Sequence, residues 1–345
     1  MEVRDVWRMP RAGSLDRLVL EREPLTDPGP SEVRVSVAAV GLNFADIFAC
    51  MGLYSATPAG AFVPGLEFAG RVEAVGAQAG PWKEGDQVIG LTRFGAYASS
   101  VTVGARYLHP LPAGWTLADG AAFPVQALTA WYAIDELGGC KPGDAVLVHS
   151  AAGGVGLNAL ALLRQRKAQV VATIGHASKR ATLEAEGLAP HQIIVRDRAR
   201  FADQLDEALA ASGLIGFNLV LDAIAGPYFK PAYRRLRPAG RLVIYGSADL
   251  TPPSARPNWL RLGLHYLRRP RIDPLAMISH NKSVMGFNLI WLWDQVDRLG
   301  PAYEVLARDI TQPPRIGRRF PFAEARAALG YLQSGESVGK VILEV

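Results

Sequence analysis

Cysteine is nearly absent: Cys50 and Cys140 are the only two among 345 residues. Two thiols are too few for a disulfide framework or a four-cysteine zinc lobe, and such a chain fits a reducing cytoplasm. The opening MEVRDVWRMPRAG lacks the apolar core of a signal peptide, so secretion is not expected. Charge of one sign is not concentrated either. The 37 Lys and Arg against 32 Asp and Glu leave a net +5, and the basic residues are dispersed except at 261–271. No stripe alternates basic with aromatic residues, which argues against nucleic acid as a partner. Long apolar runs are scarce. One uncharged stretch, residues 145–163, approaches the length of a bilayer span, but His149, Ser150, Asn158 and three glycines interrupt it. What remains is a globular composition, 49% hydrophobic and 20% charged, in a chain long enough for two domains with cores.

That uncharged stretch, AVLVHSAAGGVGLNALALL, organises the chain. A short Val- and Leu-rich run at 145–149 reads as a strand, 150–156 as a glycine-rich turn, and the rest as a helix. A dinucleotide pyrophosphate is held by this order of elements. Small residues let the backbone approach the phosphates, and the free N–H groups of the helix start face the negative charge. The G-x-G-x-x-G spacing falls on Ala151, Gly153 and Gly156, so the first glycine is an alanine. Alone the motif is weak, and its surroundings decide.

Before it, residues 1 to about 110 read as short strands between Gly-, Pro- and Asp-containing turns, with EVRVSVAAV at 32–40 alternating as a half-buried strand; the spacing predicts a barrel-like unit. From Val125 the grammar changes. A helix at 126–137 leads into apolar strands at 145–149, 169–174, 192–195, 217–222 and 241–246. Helical segments at 178–186, 200–211 and 227–236 separate them. Alternating β and α with strands buried on both faces predicts a doubly wound parallel sheet, hence an α/β protein. A Pro- and Arg-rich connection at 249–280 carries NWLRLGLHYLRR, whose apolar stripe is expected to pack on a core ahead of serving as a lid or partner helix. A strand at 283–290, a helix at 322–333 and a strand at 339–345 close the chain.

The second strand should end in an acid if the cofactor is NADH, because a carboxylate there takes the ribose hydroxyls. Counting about 20 residues from Gly153 lands on Thr173, within T-I-G-H-A-S-K-R, and no acid follows until Glu184. Ser178, Lys179 and Arg180 suit a 2′-phosphate instead, with Arg196 placed to close over it, so NADPH is the expected cofactor.

Further segments carry a family pattern: GLNFADIFACMGLY at 41–54, PGLEFAGRVEAVG at 64–76, EGDQVIG at 84–90, LTAW at 128–131, HSAAGGVGL at 149–157 and the terminal VGKVILEV. Together they resemble the medium-chain dehydrogenase/reductase superfamily in its zinc-free quinone oxidoreductase (zeta-crystallin-like) branch. The segment with NKSVMGFNLIWLW resembles the vesicle amine transport protein-like subgroup. The resemblance implies a GroES-like β-barrel catalytic domain at 1–124. It also implies a Rossmann NADPH-binding domain at 125–288, with an insert at about 249–280, and a tail at 289–345 that completes the catalytic domain. A homodimer is implied too. The zinc-ligand Cys and His of related alcohol dehydrogenases fall on Asn43 and Leu66, which do not replace thiolate or imidazole, so no metal is expected.

By the same resemblance Asn43, Asp46 and Tyr54 are the candidate catalytic residues. Asn43 would position cofactor or acceptor through its amide, Tyr54 would donate a proton, and Asp46 would anchor the Asn43 loop. Cofactor contacts are implied at Thr129, Ala152, Gly153, Gly154, Val155, Gly175, Ser178, Lys179, Arg196, Gly246, Ser247, Phe287 and Asn288. Hydride transfer without a Lewis acid suits a quinone or α,β-unsaturated carbonyl, because conjugation spreads the developing charge. Two alternatives stand beside this small-molecule reading: an enoyl thioester reductase, and a cofactor-fold protein that binds lipid or vesicle surfaces without turnover. Cys50, with no base beside it, reads as an inert buried thiol.

Overall fold

The computed structural model describes residues 2–345. Its N-terminal unit contains β1 (Val3–Arg8), β2 (Val19–Pro24), β3 (Glu32–Gly41), α1 (Phe44–Cys50), β4 (Glu67–Val75), β5 (Gln87–Leu91), β6 (Ser100–Gly104) and β7 (Leu108–Pro110). In β3 the alternation predicted from sequence buries Val33, Val35 and Val37, which meet β4 and β6 on its two edges. Around these valines a core forms with Phe68, Ile47, Met51 and Tyr97.

Two short helices, α2 (Leu117–Ala121) and α3 (Pro124–Trp131), lead into the second unit. Pro124 opens α3, where its missing N–H costs nothing. Residues 132–137, expected as more of the same helix, form a π-helical turn instead. Then come β8 (Ala145–Val148), α4 (Gly154–Gln165), β9 (Gln169–Ile174), α5 (Arg180–Ala185), β10 (Ile193–Val195), α6 (Phe201–Ala211), β11 (Phe217–Asp222), α7 (Phe229–Arg234) and β12 (Leu236–Ile244). After the connection that holds α8 (Trp259–Leu267) and α9 (Pro274–His280), β13 (Ser283–Gly286) completes a six-stranded sheet. Its order is β10-β9-β8-β11-β12-β13, and every pairing is parallel. Order therefore reverses at β8, the strand that carries the glycine turn, which is where doubly wound sheets bind ligands.

The remaining elements are α10 (Val296–Asp309), β14 (Ile316–Pro321), α11 (Ala325–Gln333) and β15 (Lys340–Glu344). β15 lies antiparallel to β3, with Ile342 opposite Gly41, so the tail returns to the first sheet. The tail does not belong wholly to the barrel, however. On α10, Ala302, Tyr303 and Leu306 join the core around α3 and α4. Between β13 and α10, Trp293 stacks on Tyr107 at 3.9 Å and the Trp291 indole N–H donates to Ser55 Oγ at 3.3 Å, which ties this segment to the barrel.

The connection at 249–280 departs from expectation. Its first part crosses to the barrel, where Leu15 N–H donates to the Ala255 carbonyl at 3.0 Å and Gln333 Nε2 to that of Ser254 at 2.9 Å. Neither α8 nor α9 contains a buried residue. The stripe expected to pack on a core is not buried, with Leu260 85% and Leu267 70% exposed, while Trp259, Leu262 and Tyr266 of the same helix face the large cleft between the two units. Among the described residues no helix is long and apolar enough to cross a membrane.

Candidate active site and cofactor cleft

A cleft of about 1760 Å³ runs between the two units. One wall is the glycine turn. Gly156 is needed there, since a Cβ would fall 2.5 Å from the backbone Cα and carbonyl oxygen of Ala151. The turn therefore stays close to β8 and leaves the first N–H groups of α4, beginning at Gly154, facing the cleft. Gly339 N–H donates to the Ala152 carbonyl at 2.8 Å and pins the turn to the tail. Ala152, Gly153, Gly154 and Val155 line the cleft, and so do Gly175, Gly246, Ser247, Phe287 and Asn288.

At the end of β9 the cleft is cationic. Lys179, Arg196, Arg198 and Lys230 line it, while Asp249, 3.2 Å from His265 Nδ1, is the sole lining carboxylate among the described residues. Arg196 donates to Thr173 Oγ1 at 2.9 Å and lies over the Tyr228 ring at 5.4 Å. Lys179 is less free than the sequence implies. Its ammonium donates to the carbonyls of Gly335 at 2.6 Å and Ser337 at 2.7 Å, leaving one N–H. Burial, and then Arg196 beside it, bring this amine down to about 8. Ser178 is exposed and outside the cleft lining, and Arg180 turns to the Pro190 carbonyl at 3.2 Å. The short turn at 177–179 brings the lysine inward and leaves the serine out.

The other end is apolar, lined by Phe44, Phe48, Leu53, Leu66 and Ile290 around Tyr54. The Tyr54 phenol donates to Asn288 Oδ1 at 2.8 Å, and burial pushes its pKa up to about 12. Thr129 also lines this region, but its hydroxyl donates to the Val125 carbonyl at 2.6 Å within its own helix.

Asn43 is arranged differently from the expectation that its amide holds a ligand. Its Nδ2 donates to Glu67 Oε1 at 2.8 Å and to the Gly41 carbonyl at 3.3 Å, and its Oδ1 accepts from Lys340 at 2.9 Å. Lys340 also forms a very short ion pair with Glu67 Oε1, while Glu67 Oε2 accepts the Val125 N–H at 2.8 Å. All three side chains are buried, so Asn43 is a strut between α1 and β15. Asp46 caps α1, accepting from the Asn43 N–H at 2.8 Å and the Tyr97 hydroxyl at 3.1 Å. Burial, as the largest influence, raises its carboxyl to about 7. Cys50 is fully buried and its thiol is pushed well above the ordinary range, which keeps it un-ionised.

Sequence reasoning missed Glu67, Lys340, Gln126 and His149. The first two lie inside matched segments, GLEFAG and VGKVILEV, and a buried position occupied by a charged residue was the available signal. His149 follows β8 with its Nδ1 3.1 Å from Thr173 Oγ1, and burial brings it down to about 4.

The cradle left by Gly156, the free helix start and the neighbouring cations fit a dinucleotide. A GroES-like barrel joined to such a sheet defines an oxidoreductase of the medium-chain type. Residues 29–113 match the alcohol dehydrogenase GroES-like domain and residues 189–343 the zinc-binding dehydrogenase domain. The synaptic vesicle membrane protein VAT-1 homolog of Mus musculus is 33% identical over 336 residues, 96% of this chain and 81% of the mouse protein. Among solved structures, a mycobacterial protein complexed with NADPH superposes with a TM-score of 0.83 at 26% identity, covering 99% of this chain and 100% of that one. The CurK enoyl reductase gives 0.80 at 28%, covering 99% of each chain. A mycobacterial quinone oxidoreductase gives 0.78 at 25%, covering 99% and 100%. The chain belongs to the medium-chain dehydrogenase/reductase superfamily, in the group that holds the VAT-1 homologues.

Proposed function

We propose that the protein is an NADPH-dependent, metal-independent reductase that delivers hydride to a quinone or α,β-unsaturated carbonyl. The observation that carries this reading is the polarity of the cleft: cations at the end of β9, and an un-ionised tyrosine in an apolar chamber at the other end. Arg196, Arg198, Lys230 and the remaining N–H of Lys179 would hold the adenosine phosphates, and the α4 N-terminus the pyrophosphate. When bound, the reduced nicotinamide supplies the hydride. The protein's part is to orient the acceptor among Phe44, Phe48 and Leu66, exclude water, and keep a proton on Tyr54 for the acceptor oxygen. Metal independence is supported by the donor set. Asn43 and Leu66 stand at the positions aligned with zinc ligands, and the buried Lys340 ammonium beside Asn43 opposes a second cation.

Support for NADPH over NADH comes from the cations and from the NADPH complex of the mycobacterial relative. Support for an enoyl thioester as the alternative acceptor comes from the CurK likeness and from Arg268 and Arg269, which extend the cleft lining. A homodimer is the assembly we propose, with β13, which among the described residues pairs with β12 alone, as one of the two sheet edges it could use. The test is NADPH oxidation by purified protein against quinones, enones and enoyl thioesters. Turnover of none of them would refute the enzyme reading. Arg196→Ala should weaken NADPH binding far more than NADH binding, and an equal effect on both would refute the 2′-phosphate assignment.

A further inference from the structure

α8 carries a bare notch between two aromatic rings. Trp259, Gly263 and Tyr266 stand at i, i+4 and i+7, so they share one side of the helix, and all three line the cleft. Leu260, Leu264 and Leu267 point to another side, outside the lining. The Cα atoms of Trp259 and Tyr266 lie about 10 Å apart along the helix axis, with only backbone between the rings. Trp259 is 66% and Tyr266 63% exposed. Arg269 lies over the Tyr266 ring at 3.8 Å and donates to the Tyr266 carbonyl at 2.7 Å, which steadies that ring. Glycine inside a helix costs stability relative to alanine, and the fold has no steric use for it here, since a Cβ on Gly263 would meet nothing within 4 Å. A notch kept at that cost between two exposed rings, on a ligand-binding wall, fits a planar ligand that stacks.

Position narrows the ligand. His265 Nδ1 lies 3.2 Å from Asp249, and the Asp249 carboxylate packs on Gly226, where a Cβ would fall 2.4 Å from Oδ2. Gly226 begins the turn that ends at Tyr228, the ring beneath Arg196. The connection that leads into α8 is held by Gln333, which donates to the Ser254 carbonyl at 2.9 Å and stands two residues before Gly335, whose carbonyl holds Lys179. α8 is thus anchored at the end of the cleft where the cations gather. Phosphates are neither flat nor aromatic, so they do not explain the notch. The planar ring joined to the ribose that carries the 2′-phosphate is adenine, while the nicotinamide belongs at the Tyr54 end.

Resting on the nicotinamide-cofactor reading above, we propose that α8 is a cofactor-binding element whose Trp259–Gly263–Tyr266 notch takes the adenine ring. The contact is made to NADPH and NADH alike and is independent of the 2′-phosphate. Stacking covers the two rings that the protein alone leaves exposed and draws α8 onto the occupied cleft.

Calorimetric titration of wild-type, Tyr266→Ala, Gly263→Leu and Leu260→Ser proteins with NADPH, NADH and adenosine 2′,5′-bisphosphate tests this, alongside thermal unfolding without ligand. Tyr266→Ala should weaken all of these ligands about five- to thirtyfold, the worth of one aromatic stack on a base. Gly263→Leu fills the notch with a better helix former, so it should weaken them by about fivefold or more while its Tm stays equal or rises. Leu260→Ser, on another side of α8, should bind each within about twofold of wild type. Dinucleotide affinities of Tyr266→Ala and Gly263→Leu within about twofold of wild type would overturn the proposal alone, even if the variants raised the KM of an acceptor. So would weakened dinucleotide binding with bisphosphate affinity unchanged, which would give the notch to the other half of the cofactor. A lower Tm in Gly263→Leu would show that the glycine serves the fold, and would also overturn it. Failure of the wild-type protein to bind either dinucleotide would overturn the cofactor reading and this contact together.

Discussion

The Tyr54 hydroxyl donates to Asn288 Oδ1 at 2.8 Å, across 234 positions of sequence. Tyr54 follows α1 of the barrel and Asn288 follows β13 of the parallel sheet, so the bond spans the cleft where both units wall it. Asn288 Oδ1 also accepts the Ile290 N–H at 3.4 Å, which fixes its orientation and hence the direction of the phenol. The phenol, a potential proton donor of the apolar chamber, is thereby aimed before a substrate arrives.

Tyr54→Phe removes that proton and leaves the ring. A fall in kcat of about a hundredfold is expected, the scale of a lost general acid, with the NADPH Kd unchanged. Asn288→Ala keeps the phenol but frees it, so a smaller loss, about tenfold, should follow. Because burial raises Tyr54 to about 12, the wild-type rate should show no phenol ionisation up to about pH 10. Steady-state kinetics from pH 6 to 10 decide the matter. Unchanged kcat in Tyr54→Phe would remove this residue from the chemistry.

Breaking the Glu67–Lys340 pair should be costly. Lys340→Met leaves Glu67 buried without its cation, and a loss of about 3–5 kcal/mol in urea unfolding is expected. Adding Glu67→Gln removes the stranded charge, so the double variant should recover a large part of that loss. A double variant as unstable as the sum of the singles would show that the two residues do not act as a pair.

Most of the fold could be read from the chain because its signals are local. Val and Leu runs such as 145–148 must be buried on both faces, and Gly156 marks a turn pressed against Ala151. The site was only half legible. Asn43 and Tyr54 were placed at the cleft by resemblance, but what each touches depends on Lys340 and Asn288, far away in sequence. Lys179 reads as a phosphate ligand from its charge and its place after the second strand. Two of its three donors go to carbonyls at Gly335 and Ser337, contacts that no nearby residue announces. Periodicity also misled at 259–267, since an apolar stripe tells that a face wants cover and not that this chain supplies it.

The exposed stripe has its own consequence. Leu260, 85% exposed, makes so little of the fold that Leu260→Ser should change unfolding stability by less than about 0.5 kcal/mol. Leu306→Ala, fully buried on α10 against the α3–α4 core, should cost about 2–5 kcal/mol. Urea unfolding of the two variants side by side checks both. A comparable loss in Leu260→Ser would mean that α8 is packed after all.

Stability against pH should show opposing buried groups. Asp46 titrates near 3.8 when unfolded and about 7 when folded, so between those values the folded state holds the extra proton and acid stabilises it. His149 runs the other way: 6.5 unfolded and about 4 folded, so the unfolded state takes the proton and acid destabilises. His109, also lowered to about 4 by burial, adds to the second effect. Each fully buried group is worth about 3 to 4 kcal/mol at the extremes of its window. For these three groups, then, wild-type stability should fall as pH drops from 6.5 toward 4, two histidines outweighing one carboxyl. Asp46→Asn removes the acid-stabilising contribution, so its stability should fall more steeply over that range, and its difference from wild type should grow in its favour as pH rises to about 7 and level off above it. His149→Asn should fall less steeply. Urea unfolding of the three proteins between pH 4.5 and 8 measures the slopes, and Asp46→Asn and wild-type curves that ran parallel would mean that Asp46 is ionised in the folded protein throughout.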